Sequence, residues 1–367
     1  MGEIFLDAPN LGKKEKEYLL KCIDSTFVST AGPFIREFED KLSNYLKVDR
    51  VVSTQSGTAA IHLALHELGI GKGDEVIVPV LTFVATVNPI IYVGAKPVFV
   101  DVNINTWNID CKKIEESVTE RTRAIIPVHL YGNPCNMDDI MKISKKYNIP
   151  VIEDATESLG ATYRGQFTGT FGEFGTFSFN GNKIITTGGG GAICTKDAEK
   201  ANHIKFLVNQ ARDVEKGYYH TEIGFNYRMT NLEAALGLAQ LEKLKQFIDE
   251  KTGFNDIYRK ELRNVDYITF QREEESATSS FWLNSILLDK SINVEKFQDM
   301  LKQKDIPTRR IFIPIVEFPM YNQYRKSDYK NSYDIYNRGL SLPSSTLNQG
   351  KNIRHICKTI KELLGVL

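Results

Sequence analysis

EVIVPVLTFVATVNPIIYVGAKPVFVDV, residues 75–102, reads as a strand, a helix and a second strand. The runs Glu75–Val80 and Lys96–Val102 are short, apolar and rich in β-branched residues, and Ala85–Val93 between them has the length of a covering helix. The same alternation continues on both sides. Upstream, VVST from Val51 precedes a helical stretch Thr58–Leu68. Downstream, Asp110–Val118 leads into AIIPVHL, Met137–Tyr147 and PVIED, which ends at Asp154. Repeated units of this kind predict a mainly parallel sheet with helices on both faces, and such sheets bind ligands at the carboxyl ends of their strands. Two further runs, Gly175–Phe179 and Gly190–Thr195, bring the expected sheet to about seven strands.

Beyond the sheet, Thr230 and Glu233 in TNLE form a capping box for a long helix with apolar positions Ala234, Leu238, Leu241 and Leu244. After about Lys251 the pattern changes to a helix, a strand near Phe281–Leu288, a helix near Val294–Lys304, a short strand at Pro307–Arg310 and a last helix over Ile353–Leu364. Residues 1–250 are therefore expected to form a large domain that includes the N-terminal segment, and residues 251–367 a smaller α+β domain.

The chain has 367 residues, 42% hydrophobic and 25% charged, with lysine plus arginine equal to aspartate plus glutamate at 46 each. This balance gives no field to attract nucleic acid or an anionic membrane. The one dense charge run, Lys13–Glu17, mixes both signs and reads as a solvated helix face. The five cysteines are scattered, with no C-x-x-C pair to suggest zinc, so no metal site is expected and reduced thiols fit best. The longest nearly apolar run, Val76–Val87, is too short for a bilayer and contains Pro79, and the N-terminus lacks a basic, then apolar leader. A cytoplasmic protein is expected.

Four residue groups supply the parts of a pyridoxal 5'-phosphate (PLP) site: an amine for the aldehyde, an anion for the pyridine nitrogen, donors for the phosphate and a plate against the ring. Lys183, in FSFNGNKIITTGGGG, lies among aromatic and small residues before four glycines. An ammonium so placed has a lowered pKa, which makes it a better nucleophile and proton carrier. Asp154 ends its strand at the ligand edge of the sheet. Ser56, Gly57 and Thr58 open a helix whose N–H groups and dipole favour an anion. Phe83 follows a strand and can stack on the ring. The glycine run is not a nucleotide P-loop, since Ala192 follows it.

Together these residues resemble the DegT/DnrJ/EryC1/StrS family of PLP-dependent nucleotide-sugar aminotransferases. The resemblance runs from FLDAPNLGKKEKEY to LSLPSS and is most specific in VIEDATESLGATYRGQFTGTFGEFGTFSFNGNKIITTGGGGAICT. It implies a type I PLP aminotransferase fold and a homodimer with active sites shared across the subunit boundary. It implies that Lys183 binds the cofactor covalently, Asp154 pairs with the pyridine nitrogen and Phe83 stacks on the ring. Gly57, Thr58 and Ser178 would hold the phosphate, and Asn226, in GFNYRMTN, would reach the partner's phosphate. Glu157 stands where glutamine is commoner, near the cofactor's phenolic oxygen, and must be protonated or receive that oxygen's proton. A dehydratase branch of the family carries histidine in place of the lysine, which Lys183 argues against.

The implied reaction moves an amino group from L-glutamate to C4 of a nucleotide-linked 4-keto-6-deoxyhexose, for a bacterial surface glycan. Asn180, Gln210–Arg212 and Trp282–Asn284 look like enzymes acting on UDP-4-keto-6-deoxy-N-acetylhexosamine, the reading favoured here. NTWNI, VHLYGNPC, GFNYRMTN and FPMY look like GDP-perosamine synthases, which act on GDP-4-keto-6-deoxymannose. Arg309, in IPTRR, is placed to meet the diphosphate. His129 and Tyr131 either line the site or are buried structural residues. The competing classes are a non-catalytic PLP-binding regulatory protein and another PLP enzyme, a dehydratase or decarboxylase. Bleaching of the cofactor absorbance by an amino donor separates them.

Overall fold

The computed structural model describes residues 2–365. Its central sheet is built from β1 (Arg50–Thr54), β2 (Glu75–Pro79), β3 (Lys96–Val100), β4 (Thr122–Ile125), β5 (Ile152–Asp154), β6 (Phe174–Ser178) and β7 (Gly191–Thr195). β2 pairs in parallel with β3 and β4, and β5 in parallel with β6. Parallel bridges Ile125–Val151 and Val128–Asp154 join β4 to β5, so the order runs β3-β2-β4-β5-β6-β7-β1. β7 is antiparallel to both of its neighbours. The sheet is mostly parallel, as the alternation of runs requires.

The period of two along each strand divides the apolar residues between the faces. In β2, Val76 and Val78 join a core with Ala60, Leu63, Val87 and Ile90 from the helices Gly57–Glu67 and Val84–Tyr92. Ile77 points the other way, into a core with Ile140 and Ile143 of the helix Met137–Tyr147. Each fully buried side chain of this type contributes roughly 1.5–3 kcal/mol relative to exposure. A charged residue at either set of positions would therefore break the layer that holds the strand ends in register.

The C-terminal part carries a second sheet of β8 (Ile268–Phe270), β9 (Asn284–Leu288), β10 (Arg309–Arg310) and β11 (Gly339–Leu342), in the order β8-β9-β11-β10, antiparallel throughout. The capping box at Thr230 is present, with Glu233 bonding back to the Thr230 N–H. The helix it opens ends at Leu241 rather than continuing through Leu244, and a new helix runs over Leu244–Leu262. That second helix passes through position 250. It gives Leu244 and Phe247 to the core beside the large sheet, and Phe254, Tyr258 and Leu262 to the core of the second sheet. The N-terminal segment also crosses over: Phe5 N–H donates to Asn348 Oδ1, and the Ser344 and Ser345 N–H groups donate to Leu6 O. Asp7 is held next to Arg309 by these bonds. Among the described residues no helix is long and apolar enough to cross a membrane, and all five cysteines are free.

Candidate active site

The last residues of β5 separate two carboxylates by the alternation of the strand. Glu153 faces inward and is fully buried. It accepts the N–H groups of Gly169, Phe171 and Gly172, and lies 3.1 Å from His129 Nε2. His129 Nδ1 accepts the Cys135 N–H, which leaves the proton on Nε2 for Glu153, so His129 is a structural residue. Asp154 faces the other way, at the edge of a cavity of about 360 Å³. Thr86 Oγ1 donates to one of its oxygens at 2.6 Å; the Thr156 N–H and Oγ1 donate to the other at 3.1 and 2.6 Å. Hydrogen bonds to both oxygens fix the direction of this buried carboxylate.

Gly57, Thr58, Phe83, Asp154, Glu157, Ser178, Asn180, Lys183, Trp282 and Arg309, all singled out from the sequence, line this one cavity. The helix Gly57–Glu67 begins there, with Ser56 Oγ accepting the Ala59 N–H. The first N–H groups of a helix have no partner within it, and they make an anion site with the dipole behind them. Close approach explains the glycines. A Cβ on Gly57 would lie 2.9 Å from Thr156 Cγ2 and 3.0 Å from Ser178 Cβ, and one on Gly191 would lie 2.4 Å from the Ser56 carbonyl carbon. These contacts pack β6, β7 and the helix start into one cradle, with Ser178 beside it.

Lys183 reaches the cavity with its side chain 14% exposed. Its Nζ is 3.9 Å from Glu157 Oε1 and 4.2 Å from the Trp282 ring centroid. Burial lowers the ammonium pKa, and the charges of Glu157 and Asp154 oppose that effect. Burial also raises the Glu157 carboxyl to about 7, against the pull of Lys183 and of the Tyr131 N–H on its Oε2 at 2.8 Å. The two shifts bring the proton affinities of this pair closer together. Trp282 is held from both ends: its Nε1 donates to Asn182 O, and the buried Lys251 Nζ donates to its carbonyl and to Ser344 O.

An aromatic wall closes one side. Phe83, 53% exposed, lies 5.6 Å from Phe312; Phe312 stacks on Tyr131, and Tyr131 on Trp282. Tyr131 thus stands behind the lining instead of in it, its hydroxyl accepting the Phe312 N–H. Arg309 is turned to the N-terminal segment, with Nη1 2.7 Å from Asp7 Oδ2. Asn226 also lies outside the cavity. It is exposed, bridged to Asn209, at the base of an excursion that also exposes Val214, Tyr218, Tyr219 and Ile223. Sequence reasoning missed Thr86, Thr156, Asn182, Phe312 and Asp7. Thr156, two residues after Asp154, was the one with a local signal, since a hydroxyl there commonly bonds the preceding carboxylate.

The cavity's donor set fits PLP: a partly desolvated amine, a fixed carboxylate, a helix N-terminus and an exposed ring. The model of the DegT/DnrJ/EryC1/StrS aminotransferase family matches residues 9–361. The GDP-perosamine synthase of Escherichia coli O157:H7 is 42% identical over 355 residues, covering 96% of both chains. The protein of the same name from Caulobacter vibrioides is 41% identical, covering 94% of both. Among solved structures, Spr1654 from Streptococcus pneumoniae in its PLP form superposes with a TM-score of 0.94 at 26% identity, covering all of both chains.

Proposed function

Because the chain belongs to the DegT/DnrJ/EryC1/StrS aminotransferase family, and is thus a PLP-dependent nucleotide-sugar aminotransferase, we propose that it moves an amino group from L-glutamate to C4 of a nucleotide-linked 4-keto-6-deoxyhexose. The observation that carries the assignment of roles is the convergence of Lys183, Asp154 and the helix start at Gly57 on one cavity. When bound there, PLP supplies an electron sink for the carbanion formed at the carbon that loses its proton. Lys183 Nζ would hold the cofactor through its aldehyde and, as a partly desolvated amine, would be the group placed to move a proton at the reacting carbon. Asp154, fixed by Thr86 and Thr156, keeps the pyridine nitrogen protonated. Gly57, Thr58 and Ser178 hold the phosphate, and Phe83 covers the ring face. Glu157, its carboxyl raised to about 7 by burial, would stand ready to share a proton with the cofactor's phenolic oxygen.

The functional unit is a homodimer in which Asn226 reaches the partner's phosphate. Its exposed position among apolar side chains supports that reading, because Val214, Tyr218 and Ile223 would otherwise face water. The balanced charge, free thiols and absence of a spanning helix among the described residues support a cytoplasmic location.

The sugar nucleotide is GDP-4-keto-6-deoxymannose, a reading supported by two GDP-perosamine synthases as relatives at 42% and 41% identity. A UDP-linked 4-keto-6-deoxy-N-acetylhexosamine is the second reading, favoured by Asn180 and Trp282 in the cavity wall. The test is to convert the enzyme to its pyridoxamine form with L-glutamate, then mix it with each keto-sugar and follow product mass. Amination of the GDP-sugar alone is the expected result. Amination of the UDP-sugar alone would select the second reading, and no bleaching of the cofactor by any amino donor would remove both.

A further inference from the structure

Lys251 is a charged group with no part in the chemistry described above. It lies in the helix Leu244–Leu262, is buried, and gives its Nζ protons to two carbonyls, Trp282 O at 3.1 Å and Ser344 O at 2.7 Å. Burial pulls its ammonium down to about 8, against the charges of Asp7 on the N-terminal segment and Glu250 on its own helix. A methionine would fill the same space without the cost of a buried charge, so what the ammonium holds decides its value. What it holds is a strained turn. Phe281 has a φ of 46°, in the left-handed region that a bulky side chain rarely enters and that persists only where the surroundings over-determine it. On the far side of the turn the Ser280 N–H and Ser279 Oγ both donate to Gly132 O, at 3.1 and 2.9 Å, and the Phe281 N–H donates to Ser279 Oγ at 3.0 Å. Trp282 leaves this turn with Nε1 on Asn182 O at 2.6 Å and its ring centroid 4.2 Å from Lys183 Nζ.

We propose, resting on the aminotransferase reading, that Lys251 is a positioning residue for Lys183: by clamping the Trp282 carbonyl it holds the strained turn closed and keeps the indole face over Lys183 Nζ. The clamp suits an ammonium, which bonds two carbonyls at once with charge-assisted hydrogen bonds from a single atom. The negative face of the indole favours a cation above it, so the ring opposes the burial that lowers the Lys183 pKa and helps the amine keep its proton while it moves one at the reacting carbon. Lys251 itself stands outside the cavity lining, and the Ser344 carbonyl it also binds belongs to a residue whose N–H donates to Leu6 O. One side chain thus ties the helix that serves both sheets to the turn at Trp282 and to the N-terminal segment.

The test frees the full chain of cofactor and times its recapture of PLP across pH, read as the absorbance of the lysine-bound cofactor. The midpoint of that profile marks where Lys183 becomes a free amine. Lys251→Met is expected to move the midpoint down by roughly half a pH unit to one and a half, the worth of a cation held over an indole face away from water. Trp282→Leu should give the same displacement, and adding Lys251→Met to Trp282→Leu should move it no further. Lys251→Arg should recover part of the wild-type value. This cycle separates a clamp acting through the ring from a general loss of stability, whose effect would appear in both backgrounds. Should Lys251→Met not fold, Lys251→Gln, which still donates to one carbonyl, is expected to give an intermediate displacement in the same cycle. An unmoved or raised midpoint in the Lys251 variant, or an undiminished displacement in the Trp282→Leu background, would overturn the clamp. Failure of the aminotransferase reading looks different: wild type would capture PLP with its ordinary midpoint, yet no amino donor would bleach the bound cofactor.

Discussion

Glu157→Gln should change how stability depends on pH, and the structure gives both the sign and the size. The carboxyl is buried beside Lys183, and its pKa is raised from 4.5 to about 7 by loss of water. A carboxyl whose folded pKa lies above its unfolded value binds more proton when folded. Its contribution is therefore whole below the unfolded pKa and is lost as the pH rises through about 7. The interval corresponds to about 3 kcal/mol, with the opposing pull of the Lys183 ammonium at 3.9 Å already included. Glutamine keeps an acceptor for the Tyr131 N–H but does not titrate. It also deprives Lys183 of a nearby negative charge, which lowers that amine further and adds to stability as pH rises. Both effects have one sign, and the Glu157 carboxyl places the gain of the variant on wild type between pH 4.5 and about 7. Denaturant unfolding of the cofactor-free proteins across that range reads the difference, and infrared difference spectra read the carboxyl itself as a protonated band that disappears near pH 7. Parallel stability profiles, or a band that titrates near the ordinary 4.5, would refute the burial argument.

Lys183→Ala should bind PLP without the absorbance of a lysine-bound cofactor and lose on the order of a hundred- to ten-thousand-fold in turnover, the worth of a positioned proton carrier. Asp154→Asn retains a side chain able to bond Thr86 and Thr156 but cannot hold a proton on the pyridine nitrogen. Its rate of α-proton exchange in deuterated water should drop on the order of a hundredfold while cofactor stays bound. Gly57→Ala places a methyl against Thr156 and Ser178, at 2.9 and 3.0 Å, and must displace them. It should cost about 1–3 kcal/mol in unfolding measurements and weaken PLP binding, read by dialysis against free cofactor.

What was legible in the sequence lies at the ends of regular elements. Asp154 could be read because PVIED is a strand whose final residue sits at the ligand edge of a parallel sheet, and Gly57 because a serine and a glycine open an apolar helix. The helix break before Leu244 was not legible, since the apolar spacing carries through it; only the change of core, from Phe247 to Phe254, shows that the second helix serves two sheets. Tyr131 and Phe312 are ordinary aromatics until the fold stacks them, and Asp7 meets Arg309 across 302 positions of sequence. The division has a physical reason. Groups that must touch a ligand are placed by local geometry, which periodicity and capping encode within a few residues. Groups that adjust the charge of those side chains act through space, and any segment that reaches them can supply one. Thr86 on Asp154, Tyr131 on Glu157 and Asp7 on Arg309 each come from a different segment, yet each bonds a charged side chain in the cavity wall. Thr86→Val, which removes the hydroxyl bond to one Asp154 oxygen and keeps the bonds from Thr156 to the other, should therefore slow α-proton exchange less than Asp154→Asn does, which separates tuning of the site from its construction.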